Sequence, residues 1–206
     1  KEIKFDENRI LQHLRQQAYL TSGVKLTFID AREKDTEIYT FYFEGGIKSY
    51  VRYLNRHVAP KHDEIFYCDV EPNGLRIEAA LQVTAEFKEN TIAFANNINN
   101  PEGGTHLVGF RTALTRAINA YGRAKGMLKE KDENLTGEDT REGLTAIISV
   151  KITDPQFEGQ TKAKLGNAEV KPAVETAIGE QFGRFLEEHP RDAEAIVGQA
   201  LLAAKA

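Results

Sequence analysis

Between residues 64 and 98 three apolar segments follow one another: EIFYCDV (64–70), LRIEAALQVTAEF (75–87) and NTIAFANNI (90–98). Only the short polar joints EPNG (71–74) and KEN (88–90) separate them. Segments rich in β-branched and aromatic residues favour extended backbone, and a joint of a few turn-forming residues reverses the chain. The spacing therefore predicts an antiparallel meander. It also dictates that the helices elsewhere in the chain must cover a sheet. A further β-branched stretch, TAIISVKIT (145–153), comes later.

Helical patterns flank these strands. Asp6 can cap a helix through about Leu20, with Ile10, Leu11, Leu14 and Ala18 on one stripe. VKLTFID (24–30) and EIYTFYF (37–43) read as a strand pair, and IKSYVRYLNR (47–56) as a helix. A long helix runs from about Thr105 to Lys125, and two more fill about 168–188 and 191–205 with Pro190 between them. The charged stretch KEKDENLTGED (129–139) reads as a mobile connection. The class is α+β: a mixed, largely antiparallel sheet with packed helices. A composition shift at Gly45-Gly46 marks the only candidate domain boundary, and no internal repeat is visible.

Composition narrows the function classes. The 206 residues carry a net charge of −4, which excludes a polybasic nucleic-acid binder and leaves anion binding to local charge. Cys68 is the only cysteine, so no internal disulfide forms; it reads as apolar filler in a strand, and a reducing, cytoplasmic setting is expected. No apolar run approaches the roughly 20 residues of a membrane span, and no membrane partner or signal peptide is expected. The first residues, KEIKFDENR, lack a methionine and suggest a piece of a larger protein.

Three stretches could meet an anion. With Arg111 at the origin of a helical wheel, Leu107, Phe110, Leu114, Ala117, Ile118 and Tyr121 cluster between about −20° and −120°. Arg116 and Arg123 fall opposite, near 120–140° by the same roughly 100° step, with Arg111 on the flank. From Thr105 to Lys131 six Lys/Arg face one Glu, a local +5. This stripe is either a solvated face or a phosphate-binding one. PEGGTH (101–106) is a flexible hinge with an N-cap, or an anion site at a helix start without P-loop spacing. In DPQFEGQTKAKLGN (154–167) Gly159 and Gly166 flank Gln160, Thr161 and Lys162. That loop is a solvated turn, or an amide and an ammonium aimed at a phosphate. His13, His57, His62, His106 and His189 lack H-E-x-x-H or C-x-x-C company, His57 and His62 offer only a weak metal spacing across Pro60, and no carboxylate pair suggests acid–base catalysis.

FEGGIKSYVRYLN (43–55), FANNINNPEGGTHLVGFRTALTRAIN (94–119), TGEDTREGLTAIISVK (136–151) and DPQFEGQTKAKLGN (154–167) together resemble the B subunits of bacterial DNA gyrases, type IIA topoisomerases, over essentially the whole chain. The B subunits of topoisomerase IV share most of these motifs. The resemblance implies that residues 1–44 close a Bergerat-type (GHKL) ATPase domain. Residues 45–206 would form the transducer, with a ribosomal-protein-like split β-α-β fold. It implies that Gln160 and Lys162 contact the ATP γ-phosphate, and that Arg111, Arg116 and Arg123 lie on the helix facing a transported DNA duplex, Arg111 matching best. ATP and Mg2+ would be held mainly by motifs absent from this chain, so the piece alone is expected not to hydrolyse ATP. The loop at 154–167 is expected to be mobile without that pocket. Expected partners are DNA, a second B subunit, and gyrase A subunits in an A2B2 complex. The intact subunit would couple ATP turnover to strand passage and negative supercoiling. The rival readings are a topoisomerase IV subunit that decatenates, a stand-alone nucleic-acid-binding module, and a purely structural or dimerisation fragment.

Overall fold

The computed structural model describes residues 5–32 and 34–205; residues 1–4, the start of the segment read as the end of an ATPase domain, lie outside it. The order is α1 (Glu7–Leu20), β1 (Leu26–Asp30), β2 (Glu37–Phe41), α2 (Gly46–Leu54), β3 (Phe66–Val70), β4 (Arg76–Val83), β5 (Asn90–Ala95), β6 (Ile98–Asn99), α3 (Thr105–Ala124), β7 (Leu144–Lys151), α4 (Val170–Glu188) and α5 (Pro190–Ala203). Asp6 caps α1 as its sequence suggests, accepting from the Arg9 amide at 3.1 Å. Strands β1 and β2 form a separate antiparallel hairpin.

The main sheet has the order β3-β4-β7-β5-β6, which corrects the meander. β3 and β4 pair antiparallel, but β7 lies between β4 and β5, antiparallel to the first and parallel to the second. A parallel pair needs a crossover, and α3 supplies it, so β5-α3-β7 is a β-α-β unit split from β3-β4. Residues 144–150 are buried at every position. Such a strand is covered on both faces and belongs at a sheet centre, which sequence adjacency could not reveal. The run NTIAFANNI also divides: Asn96 and Asn97 take φ of 49° and 62° in a tight turn between β5 and β6. Asn96 then prolongs the β7 edge, accepting from the Ile152 amide at 2.9 Å and donating to its carbonyl at 2.8 Å.

Two cores follow from the strand period of two. Ile77, Ala79, Leu81, Val83, Leu144, Ala146, Ile148 and Val150 face α3, α4 and α5. Ala80, Phe94 and Ile147 face α1 and α2, where Tyr19 stacks against Phe43 and Tyr50 with centroids 3.7 and 4.6 Å away. The first helix thus shares a core with the sheet. His62 is a structural histidine here: Nε2 accepts from the Val83 amide at 2.9 Å, and Nδ1 faces the Glu64 carbonyl at 2.8 Å. Burial pushes the Cys68 thiol up to about 12, consistent with filler. Among the described residues no helix is long and apolar enough to cross a membrane.

Candidate functional site

The stretch 154–167 is a hairpin rather than a mobile loop. The Gly166 amide donates to the Gln156 carbonyl at 2.7 Å and the Glu158 amide to Lys164 at 2.9 Å. Asn167, nearly fully buried, ties the base by accepting from the Gln156 amide at 2.7 Å and donating to the Asp154 carbonyl at 3.1 Å. Gly166 is therefore a stem residue and not a flexible flank. The expectation of mobility failed because it counted only the nucleotide as the loop's partner.

The other partner is the start of α3. The amides of Glu102 and Thr105 donate to the carbonyls of Ala163 and Leu165 at 3.0 and 3.1 Å, and the Leu165 amide donates to Gly103 at 3.0 Å. The Asn100 side-chain amide donates to the Lys162 carbonyl at 2.8 Å. Helix-start N–H groups that PEGGTH could have turned on an anion are thus partly spent on the hairpin. Thr105 is not the N-cap: that position is Gly104, and the Thr105 hydroxyl is buried with no partner among the described residues. Gly104 has φ 135°, and a Cβ there would lie 2.3 Å from the Leu165 oxygen, so the seam admits only glycine.

What remains outside the seam is the tip, where Gln160, Thr161 and Lys162 are exposed. Lys162 takes φ 56°, which costs a non-glycine residue on the order of 1 kcal/mol. Its ammonium lies 5.8 Å from the Phe157 ring centroid. The tip can offer one cation and one amide donor to an anion approaching from solvent.

The α3 arginines are each engaged within the chain. Arg111 binds Glu89 through Nη2 at 2.7 Å, and the same carboxylate takes Nε of Arg141 at 3.0 Å. Arg116 pairs with Glu175 on α4 while its side chain stays 72% exposed. Arg123 donates to the carbonyls of Lys129 and Asp132, both at 2.9 Å, and to Asn134 Oδ1 at 2.6 Å. It thereby stitches down the stretch expected to be a mobile connection. The apolar stripe is turned toward α4: His106, Gly109 and Ala113 are buried beside Phe110, Leu114, Ile118 and Tyr121. Leu107 and Ala117 are only half-buried. Sequence reasoning passed over Asn100, Glu89 and Arg141, whose contacts span 62, 22 and 52 residues and leave no local signal.

Residues 46–206 match the family described as DNA gyrase B. The chain belongs to that family. A relative is the DNA gyrase B subunit of Haloferax lucentense, 51% identical over 98% of this chain and 32% of the relative. The chain thus spans about a third of the length of such gyrase B relatives. The fold is similar to part of the 43K ATPase domain of Thermus thermophilus gyrase B in complex with an aminocoumarin, with TM-score 0.87, 36% identity and coverage of 98% of this chain and 54% of that one. The topoisomerase IV ATP-binding domain of Francisella tularensis, in complex with a small-molecule inhibitor, superposes with TM-score 0.82 at 29% identity, covering 100% of this chain and 55% of that one. The gyrase B relatives stand nearer in sequence than the topoisomerase IV domain, so gyrase is the favoured member of the pair.

Proposed function

We propose that this chain is the coupling part of a gyrase-type B subunit. Residues 1–44 end the ATPase domain, residues 45–206 form the transducer, and the intact cytoplasmic subunit uses ATP to drive DNA strand passage and negative supercoiling. The observation that carries the reading is the exposed Lys162 tip on a hairpin whose base is bonded to the start of the arginine-bearing helix α3. An ammonium on a long stem suits a terminal phosphate as a point charge, and the Gln160 amide can donate beside it. Loss of that phosphate on hydrolysis removes the charge facing Lys162, and the hairpin carries the change to α3. Arg116, the most exposed of the three arginines by its side chain, and Arg111 and Arg123 on the same helix would face the transported duplex.

Bound ATP·Mg2+ supplies the phosphoryl group and its countercharge. This reading places Mg2+ and most of the nucleotide in the rest of the subunit, with Gln160 and Lys162 reaching only the terminal phosphate. The active assembly is an A2B2 complex with gyrase A and DNA, the two B subunits closing on ATP. The gyrase reading is preferred to topoisomerase IV on sequence nearness. It is preferred to a stand-alone nucleic-acid module on family membership and on the net charge of −4. Replacing Lys162 with alanine in the full-length protein should lower DNA-stimulated ATP turnover and supercoiling about ten- to a hundredfold, the worth of one charge-assisted hydrogen bond. Wild-type rates would refute the sensor role.

A further inference from the structure

We propose that Asn100 is a positioning residue for Lys162, setting the backbone geometry from which the ammonium is presented; this rests on Lys162 being the phosphate contact. Asn100 is itself held on the sheet side. Its amide donates to the Ala93 carbonyl of β5 at 2.8 Å, and its carbonyl accepts from Gly103 at 2.8 Å. The residue is 2% exposed, so its side chain has little freedom. From that fixed base Nδ2 donates to the Lys162 carbonyl at 2.8 Å.

Lys162 needs such a hold. It sits in the left-handed region at φ 56°, unfavourable for a side chain with a Cβ. Beside the Asn100 bond, the Lys162 amide donates to the Gly159 carbonyl at 3.2 Å, a contact within the tip. The next residue, Ala163, is already buried and bonded to Glu102. Lys162 is thus the hinge between a free tip and a fastened stem. Without the Asn100 donor its backbone can relax to an extended conformation, which swings the side chain away from its present direction.

General stability does not explain an amide here. Asn100 Oδ1 is buried without a hydrogen-bond partner among the described residues, so half of the amide carries a desolvation cost that an apolar residue would avoid. What the amide supplies is the placement of one carbonyl. The phosphate-facing tip is therefore aligned by the segment that opens α3, and the two cannot shift independently.

The test is a double-mutant cycle in the full-length protein, assembled with gyrase A and DNA. Asn100→Asp keeps the shape and replaces the donor by an oxygen facing a carbonyl. It should lower kcat/KM for ATP about tenfold, while Asn100→Asp in the Lys162→Ala background should lower it no further. That non-additivity is the readout a merely structural role would not give, since a general loss of folding would multiply with the loss of Lys162. If the carboxylate prevents folding, Asn100→Ser completes the same cycle. A full effect of Lys162→Ala with multiplying losses in the double variant, or wild-type kinetics for the single Asn100 variant, would overturn the role of Asn100 alone. Wild-type kinetics for Lys162→Ala would overturn the phosphate reading beneath it.

Discussion

Burial of His106 should make the stability of this chain depend on pH in a defined window. The side chain is 0% exposed, and neither ring nitrogen has a hydrogen-bond partner among the described residues. Desolvation disfavours the imidazolium and pushes the group from its ordinary 6.5 to about 4. Between those values the unfolded chain binds a proton that the folded chain does not. Stability from His106 is therefore fully present above 6.5 and is lost as pH falls toward about 4. At about 1.36 kcal/mol per pH unit the loss comes to about 3 kcal/mol, a large share of the roughly 5–15 kcal/mol of a typical domain. Urea unfolding at several pH values between 7 and 4, followed by far-UV circular dichroism because the chain has no tryptophan, measures it. His106→Leu should remove this component and cost little at pH 7, since it also removes two unpaired buried nitrogens. His62, lowered by burial, adds with the same sign, and Glu78, raised by burial, opposes it. Both persist in the variant, so the difference between the curves isolates His106. Parallel curves for wild type and His106→Leu would refute the reasoning.

Other perturbations test the seam and the helix. Gly104→Ala combines φ 135° with a Cβ 2.3 Å from the Leu165 oxygen, and should cost about 2 kcal/mol or more, seen as a lower thermal midpoint. Arg123→Ala should speed hydrogen exchange in residues 129–134 while leaving the α3 core protected, because its bonds end in that stretch. Arg116→Gln, at a side chain 72% exposed, removes the charge while its amide can still donate to Glu175, so it should change the thermal midpoint little and weaken DNA stimulation of the full-length protein; unchanged stimulation would make that face of α3 scaffold.

Local physics wrote some of this molecule plainly. The Asp6 cap, the hairpin of β1 and β2, the break between α4 and α5 at Pro190, and the Phe110, Leu114, Ile118 and Tyr121 stripe all follow from spacing and capping. The strand neighbours did not, because nothing in the joint KEN states that a strand near residue 147 will occupy the adjacent place. One clue was present: residues 144–150 show no polar alternation of the kind a half-exposed strand would need. The polar tip was legible as a tip, and its Lys162 as a candidate phosphate contact came from resemblance more than from charge. The seam beneath it was not legible. Asn100 and Lys162 are far apart in sequence, and a buried amide on a backbone carbonyl has no compositional signature.

The central position of β7 has a kinetic consequence. On a ribosome β3, β4, β5 and β6 emerge first, yet β4 and β5 cannot complete their inner edges until residues 144–151 are made. Two half-sheets must wait, each with a row of unpaired amides and an apolar surface, while α3 passes through the exit tunnel. The last piece to arrive locks both halves at once, so the main barrier should lie in docking β7 between distant partners and not in forming either hairpin. Nascent chains halted before β7 should be captured by chaperones or aggregate, and those halted after α4 should resist protease.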